Sequence, residues 1–234
     1  MGSTSMYWIS TLSYFFILSF IMIKDYKITK KPGREEKSYR TMLSWVIYFC
    51  LQDTLWGLCD NDIIDNDSIF FIATMIFFIS TVITTYFWLN FVLVYMKEKR
   101  RKLLLALDVL LIIADIIILT VNIFIPIVFR IENGIYVTKA LRPFLFLNQY
   151  IAYVFICILS LIYWLKEESD NRSRYLSVFI FTCAVRSFAS IPTLIVFCAF
   201  SGQVINIYYI WGVLMIFTCI SYFITKEKNT TEIV

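Results

Sequence analysis

Histidine is absent from the 234-residue chain, and that absence removes a large part of catalytic chemistry. A Ser-His-Asp triad, a histidine general base, a haem ligand pair and a histidine-bound zinc centre all need an imidazole. Charge is scarce too: Asp, Glu, Lys and Arg make up 16% of the sequence, against 60% hydrophobic residues and a mean hydropathy of +0.76. A soluble domain of this size carries about a quarter charged residues, so a soluble globular domain and a soluble catalytic domain are both excluded. Six glycines and four prolines leave little material for linkers, and no Gly-rich phosphate loop occurs. The six cysteines form no CxxC and no disulfide framework. The chain is therefore read as a membrane protein without an enzymatic activity of its own, and no cofactor is expected.

What is present is a series of long apolar runs separated by short charged blocks. Seven membrane helices are predicted, at Tyr7–Ile23, Thr41–Cys59, Ile69–Tyr95, Leu103–Phe129, Leu141–Leu165, Tyr175–Phe200 and Gln203–Ile224. Each is about long enough to cross roughly 30 Å of hydrocarbon. Backbone groups in lipid must be bonded internally, which leaves helices or a closed barrel. Barrel strands alternate in polarity over about ten residues, and Leu103-Leu104-Leu105 and Ile116-Ile117-Ile118 do not. The expected fold is an all-α seven-transmembrane helix bundle over residues 7–225. It has a tail at residues 1–6, in which Gly2-Ser3-Thr4-Ser5 reads as a remnant of expression, and a cytoplasmic tail at residues 226–234. The first run lacks a basic n-region and a small-residue cleavage site, so it reads as a retained helix rather than a signal peptide.

Basic residues set the orientation. Lys24 to Arg40 holds seven, Lys97 to Lys102 five, Lys166 to Arg174 three, and Lys226 and Lys228 follow, 17 of the 21 in all. The opposite loops hold Arg130, Lys139 and Arg142 together with Asp60, Asp62, Asp65, Asp67 and Glu132. The positive-inside rule then places the N-terminus outside and the C-terminus in the cytoplasm of a multi-pass plasma-membrane protein. The basic segment Lys24 to Arg40 reads as this topology signal plus attraction to anionic headgroups. It carries two tyrosines and no fold for nucleic-acid binding, so no nucleic-acid partner is expected.

Charges at membrane depth cost about 2.5–3.5 kcal/mol each and mark functional positions. Asp53, Asp108, Asp115 and Arg186 are such charges. Asp108, Asp115 and Asn122 recur every seven residues, one stripe of a helix that should face the bundle interior. Asp115 and Arg186 lie at similar depth, so a buried Asp115–Arg186 ion pair is permitted. Arg142 and Gln149 on the fifth helix, Asn206 and Tyr209 on the seventh, and Asp53 and Trp56 on the second gather toward the outer half. These residues suit a small polar ligand entering from outside. They equally suit polar contacts that hold helices together, or an ion or proton path. Asn133-Gly134 between β-prone residues signals a hairpin turn, either a two-stranded lid over the outer mouth or a plain connector.

Helix count alone proves little. The seventh span carries no lysine for a retinal Schiff base, and the motifs of G-protein-coupled receptors, E/DRY in the third helix and NPxxY in the seventh, are missing. A different set of motifs is present. Asp53-Thr-Leu-Trp56-Gly57 stands in the second helix, Trp88-Leu-Asn-Phe-Val-Leu-Val-Tyr95 ends the third, and Glu132-Asn-Gly-Ile-Tyr136 precedes Arg142 and Gln149. Together they resemble the seven-helix N-terminal sensor module that precedes GGDEF (diguanylate cyclase) domains in bacteria. The resemblance implies a membrane sensor or receptor for a small extracellular ligand, signal transduction to a cytoplasmic signalling domain, cyclic di-GMP signalling and a homodimer. It implies Asp53, Trp56, Arg142 and Gln149 as ligand-binding residues, to which burial cost adds Asn122 and Arg186, and position adds Asn206 and Tyr209. The chain departs from the pattern at its C-terminus, where a cyclase should follow, and at Arg186, which has no counterpart. The alternative is a small seven-helix transporter, for which midplane polar residues are required; against it, the two halves show no internal repeat.

Overall fold

The computed structural model describes residues 5–166, 172–179, 218–224 and 226. The elements are five helices, α1 (Ser5–Ile28), α2 (Arg34–Asp60), α3 (Asp67–Tyr95), α4 (Arg101–Phe124) and α5 (Phe144–Lys166), with one hairpin, β1 (Phe129–Glu132) and β2 (Ile135–Thr138), between α4 and α5 in the chain. Helical turns also occupy residues 172–179 and 218–224. Four helices, α2 to α5, are long and apolar enough to cross a membrane. The remainder of the predicted sixth and seventh spans, with Arg186, Asn206 and Tyr209, lies outside the described residues.

α4 shows most directly what surrounds the protein. Its buried residues are Leu105, Asp108, Asp115, Leu119 and Asn122. Leu103, Leu107, Leu110, Ile113, Ile117, Ile123 and Phe124 are exposed instead. Only 22% of its apolar window is buried. A helix that turns carboxylates inward and leucines outward is stable in lipid and not in water, where exposed apolar patches of this extent drive association. The predicted stripe Asp108, Asp115, Asn122 is thus the buried face. The molecule has the surface of a membrane protein.

The chain divides into two compact units, Met1–Val94 with Glu98–Ala152, and Tyr95–Lys97 with Tyr153–Val234. In the first unit α1 packs antiparallel along α2. Thr11 and Thr54 share a hydroxyl hydrogen bond of 2.9 Å at one end, and Arg40 meets Asp25 at 2.7 Å at the other. Fourteen residues separate the two contact points on each helix (25 − 11 and 54 − 40), so the pair stays in register over about 21 Å. In the second unit Tyr175 donates to the Met96 carbonyl at 3.4 Å, and its ring lies 5.3 Å from that of Tyr163.

The Asp25–Arg40 pair corrects the reading of Lys24 to Arg40 as a basic loop. α1 continues to Ile28 and α2 begins at Arg34, so only a short turn through Pro32 and Gly33 joins them. Arg40 is 8% exposed and Asp25 1%. Besides the carboxylate, the Arg40 guanidinium donates to the carbonyls of Asp25 (3.1 Å) and Thr29 (2.7 Å) and covers the Tyr26 ring at 4.0 Å. A cation there suits the C-terminal end of α1, adding a second donor to the Asp25 carbonyl, which also accepts from the Thr29 N–H at 3.0 Å. At the same end, Asn90 on α3 donates to Ser38 on α2 and accepts from Arg101 on α4, joining three helices through one amide.

Two helix boundaries also move, each at a proline. α4 stops at Phe124 rather than Phe129 because Ile125, preceding Pro126, is extended (φ −130°, ψ 112°), the conformation a following proline favours. α5 starts at Phe144 rather than Leu141, directly after Pro143.

Candidate functional site

The hairpin is built by three local features. Asn133 (φ 52°) and Gly134 (φ 74°) both adopt left-handed backbone, as the tight two-residue turn requires. Ile131 pairs with Tyr136 and Phe129 with Thr138, so these four side chains share one face. At the root, the Asn122 amide reaches past the end of α4. Its oxygen accepts from the backbone N–H of Val128 (2.7 Å) and Phe129 (3.2 Å), and its nitrogen donates to the Phe129 carbonyl at 3.1 Å. At the tip, the Gly134 N–H donates to the Asp67 carboxylate at 2.7 Å, at the first turn of α3. The hairpin is thereby fixed across the ends of the helices.

Beneath it lies an aromatic cluster. The Tyr136 ring stands 6.0 Å from Trp56 of α2, 6.5 Å from Phe70 of α3 and 5.6 Å from Phe129, the last stacked. The series continues from Phe129 to Phe78 (5.9 Å) and from Phe78 to Phe146 on α5 (5.8 Å). Arg142 places its guanidinium 5.2 Å from the Tyr136 ring centre, a cation–π contact worth about 2 kcal/mol when desolvated. Burial pushes the Tyr136 phenol up to about 12, against the pull of Arg142 and with a smaller push from Asp60. Burial also lowers Arg142, with Tyr136 opposing. The phenol therefore stays protonated at physiological pH and the guanidinium stays cationic.

Polar atoms without partners adjoin this cluster. Gln149 is fully buried, and among the described residues neither its Oε1 nor its Nε2 meets a hydrogen-bond partner. The same holds for Oε1 of Gln52 and the hydroxyl of Tyr136. Gln149 lies three residues from Phe146, on its face of α5, while Arg142 stands two residues before the helix begins. Gln52 lies one turn from Trp56, on its face of α2.

Of the residues predicted to bind ligand, the structure gathers Trp56 and Arg142 onto a single tyrosine. It buries Asp53 one turn below Trp56 and Gln149 one turn beyond Phe146. Asn122 is also buried, with its amide bonded to the hairpin backbone. Asp115 is 5% exposed, while its predicted partner Arg186 lies outside the described residues. Sequence reasoning did not select Tyr136 as a site residue. Alternation from the Asn-Gly turn would have placed Tyr136 on the same face as Ile131 and Phe129.

Among the described residues no group of three or more Cys, Asp or Glu could hold a metal ion. No protein-family model, curated protein or solved structure matches the chain. The case for function therefore rests on the site's own chemistry.

Proposed function

We propose that the chain is a membrane sensor that binds a small extracellular ligand at its hairpin end and signals to a cytoplasmic effector at its basic end. The observation that carries this reading is the hairpin-covered cluster of Trp56, Tyr136 and Arg142, with Gln149, whose buried amide has no partner among the described residues, one turn beyond Phe146. Aromatic walls with a few fixed polar groups are what a small-molecule site requires. The positive-inside rule supports the orientation, since the hairpin end carries Asp60, Asp62, Asp65 and Asp67 while Lys24 to Arg40 and Lys97 to Lys102 occupy the other. The motifs shared with sensors that precede GGDEF domains support a diguanylate cyclase as effector and a homodimer as the working unit, at the plasma membrane of a bacterium. The ligand acts by binding one of two bundle conformations more tightly, and it shifts their populations only by that difference.

Thermal unfolding of the detergent-purified protein tests the reading. A ligand that binds only the folded state adds about 2.7 kcal/mol at a hundredfold excess over Kd. Amino acids, sugars, nucleobases and small carboxylates form the panel. At least one class is expected to raise the melting temperature, and Arg142→Ala is expected to abolish the rise. Silence across the panel rejects the reading.

Transport is the second reading, and one observation favours it. Asp108 is 4% exposed within α4, and its Oδ2 meets no partner among the described residues. A carrier that uses this carboxylate loses flux in Asp108→Asn, whereas a sensor retains ligand binding and shows no flux in either form.

A further inference from the structure

An apolar groove of about 400 Å³ lies between α2 and α3. Ile76, Ile79 and Ile83 form its α3 wall, and Trp45 and Tyr48 its α2 wall. The two serines in it add no free donor, because Ser44 donates to the Arg40 carbonyl and Ser80 to the Phe77 carbonyl, each at 2.8 Å. Ser44 and Tyr48 are exposed on a helix apolar enough to cross a membrane, so the groove opens toward lipid. The seam between the two helices continues from there to the basic end. The Trp45 and Phe87 rings stack across it at 5.4 Å, and farther along the Asn90 amide donates to Ser38 at 2.9 Å. Ser38 and Trp45 stand seven residues apart on α2, as do Ile83 and Asn90 on α3, so each pair shares a helix face.

Two arginines close the seam at that end. Arg101 donates from Nε to the Asn90 amide oxygen at 2.9 Å, and Arg34 lies one turn before Ser38 on α2. They stand near enough for their charges to repel. Among the described residues no carboxylate pairs with either of them, although Glu35 and Glu36 share the first turn of α2. An anion placed between two such cations relieves the repulsion, and phosphate oxygens match the guanidinium fork. The distance to the groove fits a lipid. Ser44 to Tyr48 lies roughly 9–15 Å beyond Ser38 along α2, within the ~15 Å that the chains of one leaflet occupy.

We propose that the α2–α3 seam binds one anionic phospholipid, whose phosphate sits between Arg34 and Arg101 and whose acyl chain lies in the groove along Ile83, Ile79 and Ile76. Basic sites between membrane helices suit anionic headgroups, and a choline headgroup brings a cation that the two arginines repel. The site stands apart from the hairpin-end cluster and does not depend on it.

Thermal unfolding of the full chain, stripped of lipid in a neutral detergent, tests the assignment with dioleoyl phosphatidylglycerol, dioleoyl phosphatidylcholine and glycerol phosphate. Phosphatidylglycerol is expected to raise the melting temperature at a concentration about tenfold below that needed of phosphatidylcholine, and glycerol phosphate to leave it unchanged. Arg34→Gln removes one cation at an exposed position, and Ile83→Trp fills the groove. Each is expected to weaken the response to phosphatidylglycerol about tenfold. Ile79→Phe fills less and repeats the test if Ile83→Trp does not fold. Leu110→Trp, on the exposed face of α4, is expected to respond as the wild type does. Equal responses to the two lipids overturn the proposal, because the charge is then not read. A response to glycerol phosphate equal to that of the lipid, or filled variants that respond like the wild type, also overturns it, because the groove is then not used. A dimer that the filling substitutions dissociate, with no effect of lipid, assigns the groove to a second copy of the chain and overturns it too.

Discussion

Replacing Arg40 with methionine is expected to cost about 3–5 kcal/mol of stability, far more than a surface charge would. The Asp25 carboxylate, which is 1% exposed, loses the cation that meets it at 2.7 Å, and the carbonyls of Asp25 and Thr29 lose a guanidinium donor, although the Asp25 carbonyl keeps the Thr29 N–H at 3.0 Å. The carboxylate dominates, because a buried charge without a counter-ion costs more than its salt bridge returned. At about 2–4 °C per kcal/mol for a chain of this size, the melting temperature should fall by roughly 6–20 °C. Arg40→Lys should fall in between, since an ammonium supplies the charge but not the fork that reaches both the carboxylate and the carbonyls. Asp25→Asn combined with Arg40→Met should recover much of the loss, because no charge then remains buried. A single mutant within a degree or two of wild type would show that the pair opens to water, and a double mutant no better than Arg40→Met would locate the loss in the carbonyl contacts.

Why this pair escaped the sequence while the α4 stripe did not comes down to the range of the signal. Asp108, Asp115 and Asn122 lie on one helix, and their spacing alone places them together once the helix period is known. Asn133-Gly134 is likewise local, since two residues that tolerate positive φ specify the turn and alternation specifies the inward face. Asp25 and Arg40 lie on different helices and inside a run of basic residues whose topological meaning is strong. That reading treats the whole run as a loop. Nothing in the composition marks Arg40 as the cation that turns inward, because the buried position of Tyr39, Arg40 and Ser38 depends on α2 starting at Arg34. At the site the same limit applies. Trp56 and Arg142 could be nominated singly as polar or aromatic residues near one end, but the tyrosine between them is fixed by hairpin register and by the docking of the hairpin onto α2 and α3. The bonds of Asn122 were hidden for a related reason. As a polar residue on the inward stripe it looked available for a ligand, and only the chain reversal after Pro126 brings Val128 and Phe129 back to its amide.

Asn122→Leu is the second substitution with a large expected effect, and it acts locally. It removes the acceptor for two backbone N–H groups and the donor for one carbonyl, on Val128 and Phe129, both fully buried. Each orphaned group costs about 1–3 kcal/mol, so docking of the hairpin should weaken by about 3 kcal/mol or more. Another polar hold on the hairpin is the exposed bond from Gly134 to Asp67, which is worth less in water. Opening should therefore confine itself to the hairpin rather than spread through the helices. Hydrogen exchange at the amides of residues 128–138 is expected to accelerate about a hundredfold, following tenfold per 1.4 kcal/mol, with protection in α2 and α3 retained. Trp56 should shift its emission to the red as Tyr136 leaves its ring. Ligand response should fall with the hairpin, since Tyr136 carries both the aromatic wall and the contact to Arg142. Fast exchange with undiminished ligand binding would separate the hairpin from the site and leave the binding residues to α2 and α5 alone.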